Sequence, residues 1–565
     1  MNRLINKLFS CKNASMFYKR QWFFLLLLLS GIFVQAQINS AEIKQLEQYI
    51  KLWGFLKYYH PTVAKGKQDW DSVFMLHIQQ VKNIPNKTEA NLFYKKWIDD
   101  LGEPTRCKTC NDKIKDAFYE NLDLNWLADT SIFSNELIEK LIYIKNNRNQ
   151  QENFYVKQNP GVDNTNYANE KPYKNNPYPG IPMRMLSLAR YWNIIEYFFP
   201  YKYMTDQKWN TVLPEMIPQF YEAADTTAHH LAMNELVAKI DDSHAFFFTK
   251  YNYLGLYGSY TVPFETTIID DKAVIYKILN DSLCKMQDLQ IGDVITTING
   301  KTIKDIFAER TKYLPASNAA RKKWLLAGLL FNGKTNSITI GFEVDGKEQR
   351  RNIIRYDNNA TTLNYQIITD TFRLLNDKVG YANMDILLPK QVPKMMQLFE
   401  NTKAIVLDLR GYTKSAEVAL ATYVSNGEKE YMSVFIPYMK YPGVFTYVKN
   451  PGIGKRNRNH YKGKLIVLVN EITQSQAEFA ALIFKTFPNT IVIGSQTSGA
   501  NGNVSTITFP GGYETLMTGI GIANPDRSPT QRIGIVPDII VKPTIKAIKE
   551  RRDELLEKAL QLAVQ

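Results

Sequence analysis

The sequence predicts a multidomain α/β protein with a duplicated helical N-terminal region, a small β-rich module and a C-terminal, mostly parallel α/β domain. Three observations support this prediction. Aromatic residues recur at one constant offset in the first half, short strands with tight turns follow, and apolar strands then alternate with amphipathic helices. A chain of 565 residues is too long for one core, so several domains are expected.

The first 36 residues have the pattern of a secretory signal peptide. Basic residues such as Lys19 and Arg20 precede the apolar run WFFLLLLLSGIFV, and cleavage is predicted after Ala36. The run has about 13 residues, fewer than the ~18–20 that a spanning helix needs. We therefore expect an exported protein, in the periplasm or at the cell surface, with no transmembrane span in the mature chain.

Composition argues against several classes of partner. Without residues 1–36 the chain has 64 basic and 55 acidic residues, a net charge of +9 with no dense basic tract, so no nucleic-acid partner is expected. Cys107 and Cys110 form one CxxC pair without a second pair or two histidines at zinc spacing. A local disulfide is the favoured interpretation, half a metal site or a redox pair the alternatives, and no metal or other cofactor is predicted.

The helical region, residues 37–250, contains an internal repeat. Four residues recur 139 positions later in units at about 40–105 and 180–244: Trp53, Tyr58, Pro61 and Trp70 return as Trp192, Tyr197, Pro200 and Trp209. Aromatic residues at this spacing favour core packing, with a sugar- or peptide-binding surface as the alternative. The second unit ends in AKIDDSHAFFF, where His244 stands opposite Thr105 of the first. His244 is a candidate functional residue, or else simply closes a helix.

Residues 251–356 are predicted to form a β-rich module. The turns INGK and VDGK are typical of tight hairpins. The stretch LQIGDVITTINGKTI resembles the signature of PDZ domains carried by bacterial proteases. This resemblance implies a domain that binds extended peptide ends by adding a strand to a sheet edge.

In residues 357–565 strands such as AIVLDLRG, KLIVLVN and TIVIG alternate with helices. This order predicts crossover connections and a largely parallel sheet. Chemistry in such sheets gathers at the carboxyl ends of strands, where both DLRG and NEITQS fall. A terminal helix over about 545–563, with its apolar residues on one face, is predicted to serve packing.

Ser475, in NEITQSQAEF, has two interpretations. Ser475 and Glu478 form an S-x-x-E capping box, which begins many helices and is worth about 1 kcal/mol. A serine at the first turn of a helix after a buried strand also lies where amides and the helix dipole stabilise an oxyanion. The amide of Gln476 is one expected donor, and Gly411 of DLRG is the second.

The order of DLRG, NE.T.S..E, IG..T.GA and GI.PD resembles the C-terminal processing (tail-specific) serine peptidases and the tricorn core peptidase. The likeness covers about residues 240–565. It implies a PDZ-like module ahead of a ClpP/crotonase-like catalytic domain, protein or peptide substrates taken by their C-terminal ends, and Ser475 as nucleophile.

The resemblance also distinguishes two catalytic arrangements. A Ser/Lys dyad needs a lysine in the region that here reads TSGANGN, and none is present. The tricorn-like arrangement has a His before the PDZ module and a Glu before G-x-x-P-D, positions held here by His244 and Gln531. Gln531 would orient the imidazole but stabilise imidazolium less than a glutamate, so Asp241 and Asp242 stay open as alternatives.

The favoured function is therefore an exported serine endopeptidase that acts through an acyl-enzyme. The alternative is a catalytically weak or inactive scaffold that binds peptides through the PDZ-like module. The sequence makes no prediction of oligomeric state.

Overall fold

The computed structural model describes residues 37–174, 176, 178–248, 257–344, 346–357, 370–450 and 452–564. The predicted signal peptide and the predicted boundary between residues 250 and 251 lie outside these ranges. Within them, no helix combines the length and apolar character needed to cross a membrane.

The N-terminal region is mainly helical. Most of its longer helices begin at an Asp, Asn or Ser whose side chain accepts a first-turn amide, as at Asp69, Asn86, Ser134 and Asp225. The helices are α1 Ser40–Tyr59, α2 Pro61–Ala64, α3 Trp70–Lys82, α4 Lys87–Asp100, α5 Asn135–Asn146, α6 Ile181–Phe198, α7 Trp209–Tyr221 and α8 Thr226–Ala238. Short strands accompany them: β1 Ala117–Phe118, β2 Lys157–Gln158, β3 Thr165–Asn166 and β4 Phe247–Phe248.

The repeated tryptophans make the same contact in both units. The indole N–H of each tryptophan donates to the backbone carbonyl of the other, at 3.0 and 3.1 Å for Trp53 and Trp70 and at 3.1 Å in both directions for Trp192 and Trp209. All four are buried, which is the core role favoured from the sequence. Cys107 and Cys110 form a disulfide, as predicted.

The middle module is built on an antiparallel sheet in the order β11-β10-β8-β7-β6, with β9 paired to β8. Its strands are β5 Tyr260–Thr261, β6 Phe264–Ile269, β7 Lys272–Ile278, β8 Val294–Ile298, β9 Lys301–Thr302, β10 Ser337–Val344, β11 Lys347–Ile354 and β12 Tyr356–Asp357. Its helices are α9 Asp281–Lys285, α10 Ile303–Arg310 and α11 Ala319–Leu329. The predicted INGK turn lies between β8 and β9.

The C-terminal region contains a six-stranded sheet in the order β13-β14-β15-β18-β19-β23, in which only the β13–β14 pair is antiparallel. The strands are β13 Phe372–Asn376, β14 Val379–Asn383, β15 Ala404–Asp408, β16 Ser433–Pro437, β17 Phe445–Val448, β18 Lys464–Val469, β19 Thr490–Gly494, β20 Val504–Phe509, β21 Tyr513–Thr518, β22 Gly521–Ala523 and β23 Ile539–Ile540. The helices are α12 Val392–Phe399, α13 Ala416–Val424, α14 Gln476–Lys485, α15 Ile545–Lys549 and α16 Glu554–Val564. Apolar side chains of α12, α13 and α14 pack on one face of the sheet and those of α16 on the other.

A second, three-stranded sheet connects distant parts of the chain. Strand β4, which follows the His244 motif, pairs antiparallel with β21, with Thr515 opposite Phe247. Strand β21 in turn pairs with β20. This pairing brings the end of the helical region against the C-terminal region.

The prediction of one terminal helix over 545–563 is wrong, because the chain forms two helices there. Arg551 has a φ of 57°, which ends helical geometry after α15. Asp553 then accepts from the Leu556 amide at 3.1 Å and binds the Arg410 guanidinium at 2.8 Å, so that α16 begins at a fixed place. The predicted packing role holds for Leu555 and Ala559, which are buried.

Candidate active site

Ser475 lies where a buried strand passes into a helix, and its backbone conformation is unusual. It directly precedes α14 with a φ of 55° and a ψ of −117°. A positive φ is uncommon for a residue with a side chain, and such strain costs about 1–3 kcal/mol. It persists only where the surroundings impose it, and here the Ser475 amide donates to the Ala500 carbonyl at 2.9 Å. Because Ser475 directly precedes α14, it lies at the positive end of the helix dipole.

The turn before Ser475 is held by Thr473. Its buried hydroxyl accepts from the Asn470 amide at 3.0 Å and donates to the Leu409 carbonyl at 2.7 Å. Leu409 directly follows β15, the strand next to β18. The ends of DLRG and NEITQS are therefore joined at the carboxyl edge of the sheet, as their positions after strands predict.

Glu478 binds the loop that follows β19 to the start of α14 through hydrogen bonds. Its buried carboxylate accepts hydrogen bonds from the Thr497 hydroxyl, from the amides of Gly499 and Ala500 at 2.8 and 3.0 Å, and from the Ser475 amide at 3.3 Å. Burial raises the pKa of Glu478 to about 7, although these hydrogen bonds act in the opposite direction. Glu478 therefore forms its half of the predicted capping box and also positions the loop that follows β19.

His244 is buried beside Asp242 and Thr518. Its Nδ1 lies 2.8 Å from the Thr518 hydroxyl and 3.7 Å from Oδ1 of Asp242. The Asp242 carboxylate accepts from the Thr518 hydroxyl at 2.9 Å, from the Thr518 amide at 2.6 Å and from the His244 amide at 3.0 Å. Asp242 thus holds both the histidine loop and the end of β21.

This geometry determines which nitrogen of His244 carries the proton. A threonine hydroxyl has one hydrogen, and Thr518 donates it to Asp242. The hydroxyl must then accept from Nδ1–H of His244, which leaves the lone pair on Nε2. Among the described residues, no hydrogen-bond partner reaches Nε2. The neutral ring therefore has its basic nitrogen available for a proton.

Burial also keeps the ring neutral. The pKa of His244 is lowered from its ordinary value of 6.5, chiefly because the ring is desolvated. The Asp242 carboxylate opposes this change, and the Arg321 guanidinium adds to it. At neutral pH the imidazole is thus in the form that accepts a proton.

The structure brings Ser475 and His244 to one cavity of about 730 Å³. The residues that directly precede them are also in contact, because the Gln474 side chain donates to the Ser243 carbonyl at 3.2 Å. Ser498 strengthens this junction, since its hydroxyl donates to Gln474 at 2.9 Å and its carbonyl accepts from the Ser243 hydroxyl at 2.8 Å. Two loops of the C-terminal region and the loop that ends the helical region therefore meet next to Ser475 and His244.

Gln531 is close to the histidine loop, but its contacts differ from the predicted ones. Its side-chain amide donates to Asp242 at 3.3 Å and to the Ser317 hydroxyl at 3.5 Å. Gln531 therefore contacts the Asp242 carboxylate, whereas Thr518 contacts the His244 ring. Of the two acids left open, Asp242 faces the ring, while Asp241 accepts from the Asp206 amide at 2.8 Å and lies near Lys322.

The two predicted oxyanion donors occupy different places. Gln476 lines the cavity, and its side chain donates to Glu417. Gly411 lies against Asp385, where an added Cβ would come within 2.8 Å of the carboxyl carbon. The next residue, Tyr412, lines the cavity and donates its amide to Asp385 at 3.2 Å.

The remaining cavity wall is largely apolar, with one buried cation. Apolar members are Met432, Val434, Ile472, Phe479, Val504, Leu516, Ile520 and Ile522. The middle module contributes Trp324 and Arg321 from α11, with the guanidinium 4.1 Å from the indole centroid. Burial lowers the pKa of Arg321 to about 10, which leaves it charged at neutral pH. No cluster of three His, Cys, Asp or Glu suited to a metal occurs in the described parts of the chain.

Comparison with protein families identifies the segment that carries this site. Residues 378–541 match the model of Peptidase family S41. This is a family of serine-type peptidases, which are hydrolases, so the predicted enzyme class is confirmed. The matched segment contains Ser475, Thr518 and Gln531, while His244 lies ahead of it. A search of curated proteins found no match to this chain.

Two solved structures of CPAF support a common fold. Mature CPAF complexed with lactacystin is 14% identical, with a TM-score of 0.53 over 68% of this chain and 98% of that chain. Another structure of mature CPAF is 13% identical, with a TM-score of 0.54 over 68% and 96%. The photosystem II D1 C-terminal processing protease is 16% identical over 64% and 93%, at a TM-score of 0.38. At such identities the likeness to CPAF concerns the fold alone.

Proposed function

We propose that the chain is a serine endopeptidase of the C-terminal processing type, with Ser475 as nucleophile and His244 as general base. One observation carries this proposal: His244, with its free Nε2, lines the same cavity as Ser475. A helix cap alone would not need a buried, neutral imidazole in the same cavity. The strained backbone of Ser475 is a second support, because strain of this kind concentrates at functional sites.

The reaction follows from these positions. Ser475 Oγ bonds to the scissile carbonyl carbon while its proton passes to His244 Nε2. The carbon–nitrogen bond then breaks, the leaving amine takes the proton from the imidazolium, and an acyl-enzyme remains. Water gives a proton to His244 and its oxygen to the acyl carbon. Ser475 regains its proton as the carboxylic acid leaves.

Asp242 and the backbone amides stabilise the charges that develop. The imidazolium donates to the Thr518 hydroxyl, which donates to Asp242, so the carboxylate acts on the ring through one hydroxyl. The oxyanion is stabilised by the Gln476 amide at the start of α14, and we assign the second donor to Gly411 in the adjoining loop. Gln531 acts as a support for Asp242.

The substrate is proposed to be a protein held by its C-terminal region in the module of residues 251–356, which is PDZ-like. Helix α11 of this module supplies Arg321 and Trp324 to the cavity wall, which supports a role in substrate handling. The apolar wall suits an apolar side chain beside the scissile bond. We further propose export through the signal peptide, the tricorn-core-like arrangement and a ClpP/crotonase-like catalytic domain.

The proposal is tested with a fluorophosphonate probe, which labels activated serines covalently. We expect the purified mature chain to gain one adduct on Ser475, detected by intact mass and peptide mapping. Ser475→Ala removes the adduct, and His244→Ala slows its formation by about 10²–10⁴, the share typical of a general base. The control Ser282→Ala, at an exposed serine of the middle module, labels like the natural chain.

Circular dichroism must show that each variant is folded. Absence of labelling in the folded natural chain would reject the peptidase and favour a scaffold that binds peptides. Labelling that survives Ser475→Ala would place the nucleophile elsewhere.

A further inference from the structure

A second cavity, which we call the tryptophan pocket, lies in the helical region. It measures about 300 Å³ and is lined by Lys51, Asp123, Asn125, Trp126, Trp192, Glu196 and Asn210. Four of these residues belong to the repeated units, and the other three belong to the segment between them. Peptide-bond cleavage at Ser475 makes no use of them.

The repeat relates this pocket to another place in the molecule. Displacement by 139 positions relates Trp192, Glu196 and Asn210 to Trp53, Lys57 and Asp71. Lys51 corresponds in the same way to Arg190 of the second unit. The pocket and the space around Trp53 are therefore pseudo-equivalent, each bounded by three residues of one unit and one basic residue of the other.

At the Trp53 position the chain fills this space with its own side chains. The Glu170 carboxylate, from the segment between the units, pairs with Lys57 and lies 3.0 Å from Nε of Arg190. Arg190 also binds Asp71 at 2.7 Å. Lys57 Nζ lies 4.5 Å from the centroid of Trp53 and is 0% exposed. This copy of the arrangement thus encloses a charged group between an aromatic face and charged partners.

The charges at the tryptophan pocket differ from those around Trp53. Glu196 stands where Lys57 stands in the other copy, and Asn210 replaces Asp71. Glu196 pairs with Lys202 at 2.7 Å, and Lys51 pairs with Glu47. Among the described residues, Asp123 forms no ion pair, so the pocket has one uncompensated carboxylate.

We propose that the tryptophan pocket binds the side chain of a lysine or arginine from a polypeptide. An ammonium or guanidinium group is attracted by the Asp123 carboxylate and by the indole of Trp126, whereas Lys51 Nζ already lies 5.9 Å from the centroid of the Trp192 ring. The side-chain amides of Asn125 and Asn210 accept its remaining hydrogen bonds. A volume of about 300 Å³ is at the lower end for ligand pockets, which suits one side chain. The proposal does not depend on the peptidase function.

The test uses the folded mature chain with N-acetyl-arginine methylamide and N-acetyl-lysine methylamide as probes. We expect saturable binding of both probes, which tryptophan fluorescence and calorimetry measure. Asp123→Asn should weaken it about tenfold, because one charge-assisted contact is lost. The matched control Asp100→Asn, at an exposed acid that ends α4, should leave binding unchanged. Trp126→Phe keeps an aromatic ring and should weaken probe binding less than Trp126→Ala does.

Three outcomes would overturn the proposal. One is no binding of either probe by the folded chain, and another is binding that Asp123→Asn leaves unchanged. The third is binding of the neutral analogue N-acetyl-norleucine methylamide, or of a neutral monosaccharide, as tightly as the basic probes. Labelling of Ser475 is measured on the same variants. If Ser475 of the Asp123→Asn variant is still labelled by the fluorophosphonate, a loss of arginine or lysine binding in that variant does not come from damage to the active site.

Discussion

At the scale of single residues, a threonine hydroxyl separates the candidate base from its carboxylate. Nδ1 of His244 is 2.8 Å from Thr518 but 3.7 Å from Asp242, so the carboxylate orients the ring through Thr518. The interposed hydroxyl carries no charge, yet it selects the tautomer because its only hydrogen is committed to Asp242. The reactivity of Ser475 is thereby tied to a residue on strand β21.

Replacing Thr518 with valine is expected to lower kcat/KM about tenfold to hundredfold, a part of the 10²–10⁴ that a general base supplies. Valine has a similar shape but no hydroxyl, so Nδ1–H of His244 loses its acceptor. Thr518→Ser keeps the hydroxyl and should retain most activity. Peptide cleavage and the rate of probe labelling are the measurements, and equal rates for the two variants would contradict the role of the hydroxyl.

The pH dependence of activity should reflect the lowered pKa of His244. The base acts in its neutral form, so kcat/KM rises with pH through this pKa and levels off above it. Because burial lowers the pKa below 6.5, the midpoint of the acid limb should lie below pH 6.5. The profile of probe labelling measures this midpoint, with circular dichroism at each pH as the control. A midpoint above 6.5 would contradict the burial of a neutral ring.

At the scale of elements, the start of α14 and the loop after β19 form one unit around Glu478. The carboxylate accepts hydrogen bonds from the amide of Ser475 and from the amide of Gly499. The strained backbone of Ser475 and the turn at Gly499 are therefore held in place by the same side chain. Gly499 itself has a φ of 70°, and an added Cβ would lie 2.9 Å from the carbonyl carbon of Arg532. The loop therefore has little freedom to move away from the candidate nucleophile.

Removing the carboxylate in Glu478→Ala should lower the free energy of unfolding by about 3–5 kcal/mol, because the buried amides of Gly499 and Ala500 lose their acceptor. Urea denaturation followed by circular dichroism measures this loss. Glu514→Ala, at an exposed position of β21, should change stability by less than about 0.5 kcal/mol. Similar losses in the two variants would show that Glu478 does not hold the loop.

At the scale of the whole molecule, buried charges connect the helical units to the peptidase region. Glu170 pairs with Lys57 of the first unit and Arg190 of the second. Arg190 also donates to the Thr508 carbonyl of β20 at 3.1 Å. Strand β20 adjoins β21, which ends at Thr518, so the helical region is part of the framework around the candidate active site.

Glu170→Ala is expected to lower the free energy of unfolding by about 3–5 kcal/mol, because two buried cations then share only Asp71. Glu152→Ala removes an exposed partner of Lys157 and should cost less than about 1 kcal/mol. Thermal and urea unfolding of both variants measure the difference. A loss below about 1 kcal/mol for Glu170→Ala would mean that the buried pairs contribute little.

Much of the site was accessible from local sequence patterns. A strand, a polar turn and a capping box within a few residues make Ser475 a candidate, and a titratable residue where the other repeat unit has threonine makes His244 one. The family resemblance then favours their catalytic roles. Nothing in YETLMT distinguishes Thr518 from other strand threonines. The resemblance predicts that Gln531 contacts the ring, whereas its amide contacts Asp242.

Local sequence patterns predict the alternation of strands and helices before residue 545 in the C-terminal region, the repeat, the start of α14 and the family resemblance, because each depends on neighbouring residues or on a regular spacing. The sequence does not show that Asp242 rather than Asp241 faces His244, that Thr518 lies between Asp242 and His244, or that one of the two pseudo-equivalent spaces is filled while the other is open; the folded structure shows all three. These outcomes depend on pairing between β4 and β21 and on which connecting segment packs against each unit. Contacts between residues hundreds of positions apart follow from packing of the whole chain, which no local pattern specifies.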